Sequence, residues 1–163
     1  MRFLKEIRDR IAKDSRRSEV DRYLKEGYDL NYEGKYEEAV IRFVHVISLD
    51  PESEKAYLGL GWSLLKLERY SEALWCFERA IERNPWAIYN YYYKGNCLTA
   101  LSRFEDAIMC YKKVLEIDPS LSEAWMNMAL CHKKLGDHER SEKCMEEAAR
   151  ARGEDDLKRL LGN

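Results

Sequence analysis

A period of 34 residues runs through this chain and constrains it more than any other feature. Gly27, Gly61 and Gly95 keep that spacing, as do Ala39, Ala73 and Ala107, with Ser141 one period on. Phe43, Phe77, Tyr111 and Met145 form a third column, and Tyr36, Tyr70, Phe104 and His138 a fourth. Pro51, Pro85 and Pro119 close successive units in the phrases SLDPES, ERNPWA and EIDPSL. Five columns with one period do not arise by chance. The chain is a repeat array whose units bury their apolar faces against one another.

Each unit divides into two amphipathic helices. In the second, Tyr57, Leu60, Gly61 and Leu64 recur at i, i+3, i+4 and i+7, one face of a helix. A turn follows around LERY, and Ala73, Phe77 and Ala80 repeat the pattern. The Asp-Pro or Asn-Pro pair then ends the second helix, because a residue before proline is pushed out of the α region. This predicts helix pairs over 20–53, 54–87, 88–121 and 122–155, each helix about 14 residues long.

These columns resemble the tetratricopeptide repeat. Its pattern is matched by Tyr23, Gly27, Leu30, Ala39, Phe43 and Pro51 in the first unit and by Tyr57, Leu60, Gly61, Leu64, Ala73, Phe77, Ala80 and Pro85 in the second. Tyr91, Gly95, Leu98, Ala107, Tyr111 and Pro119 match it in the third. The fourth keeps Trp125, Ala129 and Ala148 but departs at His132, Ser141, Met145 and Gly153, as a terminal capping repeat does. The resemblance implies an all-α fold, a right-handed α-solenoid of antiparallel helix pairs whose first helices line a concave groove.

The ends read as additions to this array. Residues 1–19 form an N-terminal amphipathic helix with Phe3, Leu4, Ile7 and Ile11 on one stripe, either a cap packed on the first repeat or a detachable arm for a membrane surface or a partner groove. Residues 156–163 form a short C-terminal capping segment, with Leu157, Leu160 and Leu161 over the open edge.

Within the groove, the resemblance assigns positions two, five, nine and twelve of each repeat to the concave surface. Peptide-binding candidates are therefore Leu24, Tyr28, Leu58, Trp62, Leu65, Tyr89, Tyr92, Asn96, Met126 and Leu130. In the stretch IYNYYYKGN, Tyr91 is assigned to the core, Tyr89 and Tyr92 to the groove, and Tyr93 to an edge between neighbouring helices. Each buried aromatic side chain covers about 150–250 Å², so this surface is large enough to read as an interaction site. Packing of these rings on one another is the competing account. Trp62 shares its column with Tyr28, Asn96 and Leu130, so no packing rule demands an indole there.

Chemistry finds little support. Cys76, Cys110 and Cys144 repeat at the array's own spacing, as do Cys97 and Cys131, and no Cys-x-x-Cys pair occurs. They read as buried small residues, with no metal and no cofactor expected. His45, His132 and His138 have no partner at a spacing that suggests a site, and no phosphate-binding loop or nucleophile elbow appears, so the chain is not expected to be an enzyme. A carboxylate clamp of the kind some tetratricopeptide co-chaperones use would place its asparagines at Asn96 and Asn127, but its lysine column holds Tyr92.

Charge bounds the partners. The formal net charge is −2, with residues 1–19 contributing seven basic and four acidic groups. The acidic balance of the repeats opposes nucleic-acid binding. No stretch is long and apolar enough for an integral membrane segment, and MRFLKEIRDRIAKD lacks the apolar middle of a secretory signal. A cytoplasmic address is expected. The expected partner is an apolar or aromatic peptide or helix of another protein in the groove. The alternative is a homo-oligomer whose groove takes the N-terminal helix of a second copy.

Overall fold

The computed structural model describes the fold of residues 2–161 and the side chains of residues 4–153. Eight helices follow one another: α1 (Arg2–Tyr32), α2 (Tyr36–Leu49), α3 (Glu54–Lys66), α4 (Tyr70–Arg83), α5 (Ile88–Ala100), α6 (Phe104–Ile117), α7 (Ser122–Lys134) and α8 (His138–Leu161). Each packs mainly on its sequence neighbours, with a smaller contact between successive odd-numbered helices. That is an all-α tetratricopeptide solenoid, growing in one direction without a central core. Asp50, Asn84 and Asp118 cap the second helices one residue before each proline.

The aromatic column holds the pairs together. Phe43, Phe77 and Tyr111 are fully buried, and each ring lies against a glycine of the preceding helix. A Cβ at Gly27 would sit 2.8 Å from Phe43, one at Gly61 2.8 Å from Phe77, and one at Gly95 2.6 Å from Tyr111. Real Cβ atoms do not approach so closely, so glycine is required by the approach of the helices rather than by its flexibility. Phe43 is gripped on both sides, because a Cβ at Gly59 of α3 would also overlap its ring.

The turn inside each repeat carries another column, less visible from the sequence. Gly34 and Gly136 have φ of 77° and 79°, and Glu68 and Ser102 at the same repeat position have φ of 59° and 58°. The left-handed conformation lets the chain reverse after the first helix, with Lys35, Arg69 and Arg103 donating back to the carbonyls of Leu30, Leu64 and Leu98. Glycine takes it freely, whereas the other two residues are strained there.

Both ends differ from expectation. α1 is one continuous helix of 31 residues, not an arm followed by a separate repeat helix. Residues 4–18 are all exposed, so they do not pack as a cap on the first repeat. No proline interrupts them, and the first glycine is Gly27. Likewise α8 runs through Gly153 to Leu161 with no separate capping segment, because no proline follows it. The side chains of Phe3, Leu157, Leu160 and Leu161, to which stripe and capping roles were assigned, lie outside the described residues.

Two substitutions of opposite sign test this packing. Gly59→Ala should lower unfolding free energy by about 1–3 kcal/mol, because Phe43 has nowhere to move. Glu68→Gly should raise it by roughly 0.5–1 kcal/mol by removing left-handed strain from a non-glycine residue. Urea unfolding of both variants, followed by helical circular dichroism, measures each.

Candidate peptide-binding groove

Four of the predicted groove residues meet around one recess. Tyr28 of α1, Leu58 and Trp62 of α3, and Tyr89 of α5 line a cavity of about 370 Å³ together with Asn31, Tyr32, Gly59 and Tyr93. The wall is therefore four tyrosines and an indole. It opens where it does because of one column: Lys25, Gly59, Tyr93 and Asn127 are repeat-equivalent. In the third repeat Tyr93 covers the aromatic of the repeat before it, its ring stacked on Phe77 at 5.7 Å. Glycine at 59 instead lets the Phe43 ring close against the backbone of α3 with no side chain beside it, and the recess lies next to that contact.

Three of the lining residues, Tyr28, Asn31 and Trp62, are held by neighbours. The Tyr28 hydroxyl donates to the Lys55 carbonyl at 2.8 Å, and its ring meets Phe43 edge-on at 5.2 Å. Burial, and then the Glu54 carboxylate, push its phenol up to about 12, so it remains a neutral donor. Asn31 is buried and bridges α1 to α3, its Nδ2 donating to the Gly59 carbonyl at 3.4 Å and its Oδ1 accepting from Ser63 at 2.7 Å. Trp62 meets Tyr36 edge-on at 5.6 Å, and the Lys66 ammonium lies 5.1 Å from its ring centre. The absence of a packing reason for an indole at 62 is thus corrected: Tyr36, which opens α2, supplies one.

The remaining predicted residues do not line the cavity. Leu24 and Leu65 are half-buried against the core of the first two repeats. Tyr92 is half-buried, edge-on to Tyr93 at 5.4 Å and to Tyr111 at 6.2 Å. Asn96 belongs to a polar cluster: its Oδ1 accepts from the Tyr111 hydroxyl at 2.8 Å and from Asn127 Nδ2 at 3.0 Å. Asn127 also donates to the Tyr92 hydroxyl at 3.3 Å. The two asparagines of the clamp pattern therefore bind each other's neighbourhood. Met126 and Leu130 are exposed on α7, and the sulfur of Met126 accepts from Arg152 at 3.4 Å.

Tyr32, Gly59 and Tyr93 were missed by position counting. Tyr93, expected at an edge between neighbouring helices, bridges the Phe77 ring and the cavity wall. Burial, with Tyr92 and Tyr89 adding, raises its phenol above the usual value, against a hydrogen bond with Trp62. Tyr91, expected in the core, is half-buried at the margin of the later repeats.

Outside the cavity, burial pushes the thiols of Cys76 and Cys97 up to about 12 and that of Cys110 to about 11, which leaves them protonated and unreactive. His132, read as lacking a carboxylate at a meaningful spacing, is buried with its Nδ1 3.9 Å from Asp137. Desolvation outweighs that carboxylate and holds its pKa below the ordinary value. Among the described residues no three His, Cys, Asp or Glu side chains form a metal-holding group, and no helix is long and apolar enough to cross a membrane.

Because Trp62 is only half-buried, truncating it should cost stability without preventing folding. Trp62→Ala is expected to lose about 1–2 kcal/mol, less than the 3–5 kcal/mol of a fully buried tryptophan. Chemical denaturation measures this, and a collapse of the helical signal would mark Trp62 as core.

Comparison with known proteins agrees with this geometry. Sequence profiles of the tetratricopeptide repeat match residues 54–86, 89–121 and 110–143, together more than half of the chain. Comparison with curated proteins found no match. Among solved structures, a crystal structure of MamA superposes with a TM-score of 0.82 at 23% identity, covering 85% of this chain and 81% of that one. MamA residues 41 to the end from Desulfovibrio magneticus RS-1 give 0.80 at 23%, covering 84% and 77%. MamA MSR-1 gives 0.76 at 21%, covering 83% and 78%. At these identities the likeness is one of fold. The chain belongs to the tetratricopeptide repeat family, whose members are protein-interaction modules.

Proposed function

We propose that this chain is a non-catalytic adaptor that binds a segment of another protein through the recess between its first three repeats. The observation that carries this reading is the cavity of about 370 Å³ walled by Tyr28, Tyr32, Trp62, Tyr89 and Tyr93. Tyr89 and Tyr32 remain 60% and 94% exposed, which a purely structural aromatic cluster does not require. A recess of this kind takes one large apolar or aromatic side chain from a helix or an extended peptide. Ordering the peptide offsets much of the gain, so micromolar affinity is expected.

Charge selects among occupants. The Lys66 ammonium lies over Trp62, and Lys55 is the residue whose carbonyl holds Tyr28. Neither lysine is in an ion pair among the described residues; Glu54 accepts from the neutral Asn90 amide at 2.9 Å and keeps its charge beside Tyr28, so two cations face one anion. A segment with an acidic residue beside its anchor fits this rim better than the basic N-terminal helix of a second copy does.

A displayed library of random peptides selected on the full chain tests the reading. Enriched peptides should carry an aromatic or bulky aliphatic anchor, bind with micromolar Kd, and lose about tenfold or more on Trp62→Ala or Tyr89→Ala. Peptides that bind both variants as tightly as the parent would place the binding surface elsewhere.

A further inference from the structure

The second helices carry an apolar row that the groove does not use. Ile41, Trp75 and Met109 stand 34 residues apart and are 61%, 51% and 71% exposed. Beside Trp75 lies a cleft of about 380 Å³ lined by Val40, Val44, Leu60 and Leu64, with the Arg69–Glu72 ion pair at one side. Trp75 is held at its rim by Tyr57, edge-on at 5.8 Å, and by the Arg79 guanidinium at 5.9 Å. One repeat later the equivalent cleft is charged: Glu78 replaces Val44, Lys94 replaces Leu60, and the two pair at 3.0 Å. Both clefts keep an Arg–acid pair, Arg69–Glu72 and Arg103–Asp106, and the one between the first two repeats is the more apolar.

The chain also carries an unpartnered apolar stripe. Leu4, Ile7 and Ile11, at i, i+3 and i+7 of α1, are 69%, 39% and 64% exposed. Because this stretch continues the helix of the first repeat, it cannot fold back on its own body without breaking α1. Its partner must come from outside.

Sign of charge separates the two surfaces open to it. Residues 1–19 carry seven basic and four acidic groups. The cavity is flanked by Lys55 and Lys66 and by the Glu54 carboxylate, which acts on Tyr28. On the outer row the charges at the Trp75 cleft are paired with each other, Arg69 with Glu72 and Arg79 with Glu82, whereas Glu37, one turn before Ile41, and Glu105, one turn before Met109, are exposed and in no ion pair among the described residues. A basic apolar helix gains nothing from the mixed charges of the first surface and is attracted by the unpaired acids of the second.

We infer that the Leu4–Ile7–Ile11 stripe of one copy docks on the outer row of a second copy, against Ile41 and the Trp75 cleft. The arm and its acceptor are different surfaces, so the contact closes as a two-fold dimer where two copies exchange arms reciprocally and otherwise builds rings or open chains. The cavity stays free, and the inference stands whether or not a peptide binds there.

Light scattering across a concentration series of the full chain is the test. The mass should rise from the 19.4 kDa monomer to at least twice that value, and fall back with added salt. Trp75→Ala, Ile41→Lys, and the double change Ile7→Ser with Ile11→Ser should each hold the chain at monomer with unchanged helical circular dichroism. Trp62→Ala should assemble like the parent. Mixing the arm variant with Ile41→Lys restores one productive contact, so the mass should stop at a 1:1 pair. A parent chain monomeric throughout overturns the inference. So does assembly lost with Trp62→Ala but kept with Ile41→Lys, which would put the arm in the cavity.

Discussion

Everything in this solenoid depends on an aromatic ring pressed against a glycine. Phe43, Phe77 and Tyr111 each occupy space that any side chain at the facing glycine would claim. The pairing fixes how near the two helices of a repeat lie, and so the rise from one repeat to the next. Interiors pack at the density of organic crystals, and such a contact has little slack. The alanine column works alongside it: Ala39, Ala73 and Ala107 are fully buried and add no bulk at the helix crossing.

The recess follows from the same rule applied across repeats. Each aromatic has a second neighbour in the first helix of the following repeat, and there the residue varies. Gly59 takes Phe43 edge-close, Tyr93 stacks on Phe77, and Asn127 reaches Tyr111 only through Asn96. The polar arrangement at the third and fourth repeats closes the surface with hydrogen bonds. The glycine leaves it open. The recess and the packing thus share a column, and the chemistry of the concave surface changes from aromatic to amide within one repeat.

The fold was legible in the sequence because its determinants are local and periodic. Glycine, alanine, aromatic and proline columns state the helix pairs and where they end. The concave site was only half legible. Register brings Tyr28, Leu58, Trp62 and Tyr89 to one cavity, but Tyr32 and Tyr93 join it beside Gly59, whose identity register does not weigh. Asn96 and Tyr92 share the groove register too, yet a hydrogen-bond cluster around Tyr111 claims them. The left-handed column at 34, 68, 102 and 136 was hidden because glutamate and serine occupy two of its positions, where tertiary context overrides preference. The lengths of α1 and α8 were misjudged for a simpler reason: a repeat boundary is not a helix stop, and no residue there ends a helix.

The continuity of α1 has a mechanical consequence. At 1.5 Å per residue, residues 4–18 reach roughly 22 Å beyond the first repeat, and no hinge separates them from the helix that carries Tyr28. Whatever grips the arm therefore also sets the azimuth and spacing of the solenoid behind it. The arm acts as a ruler rather than a tether, and a string of such chains would have a pitch dictated by helical geometry.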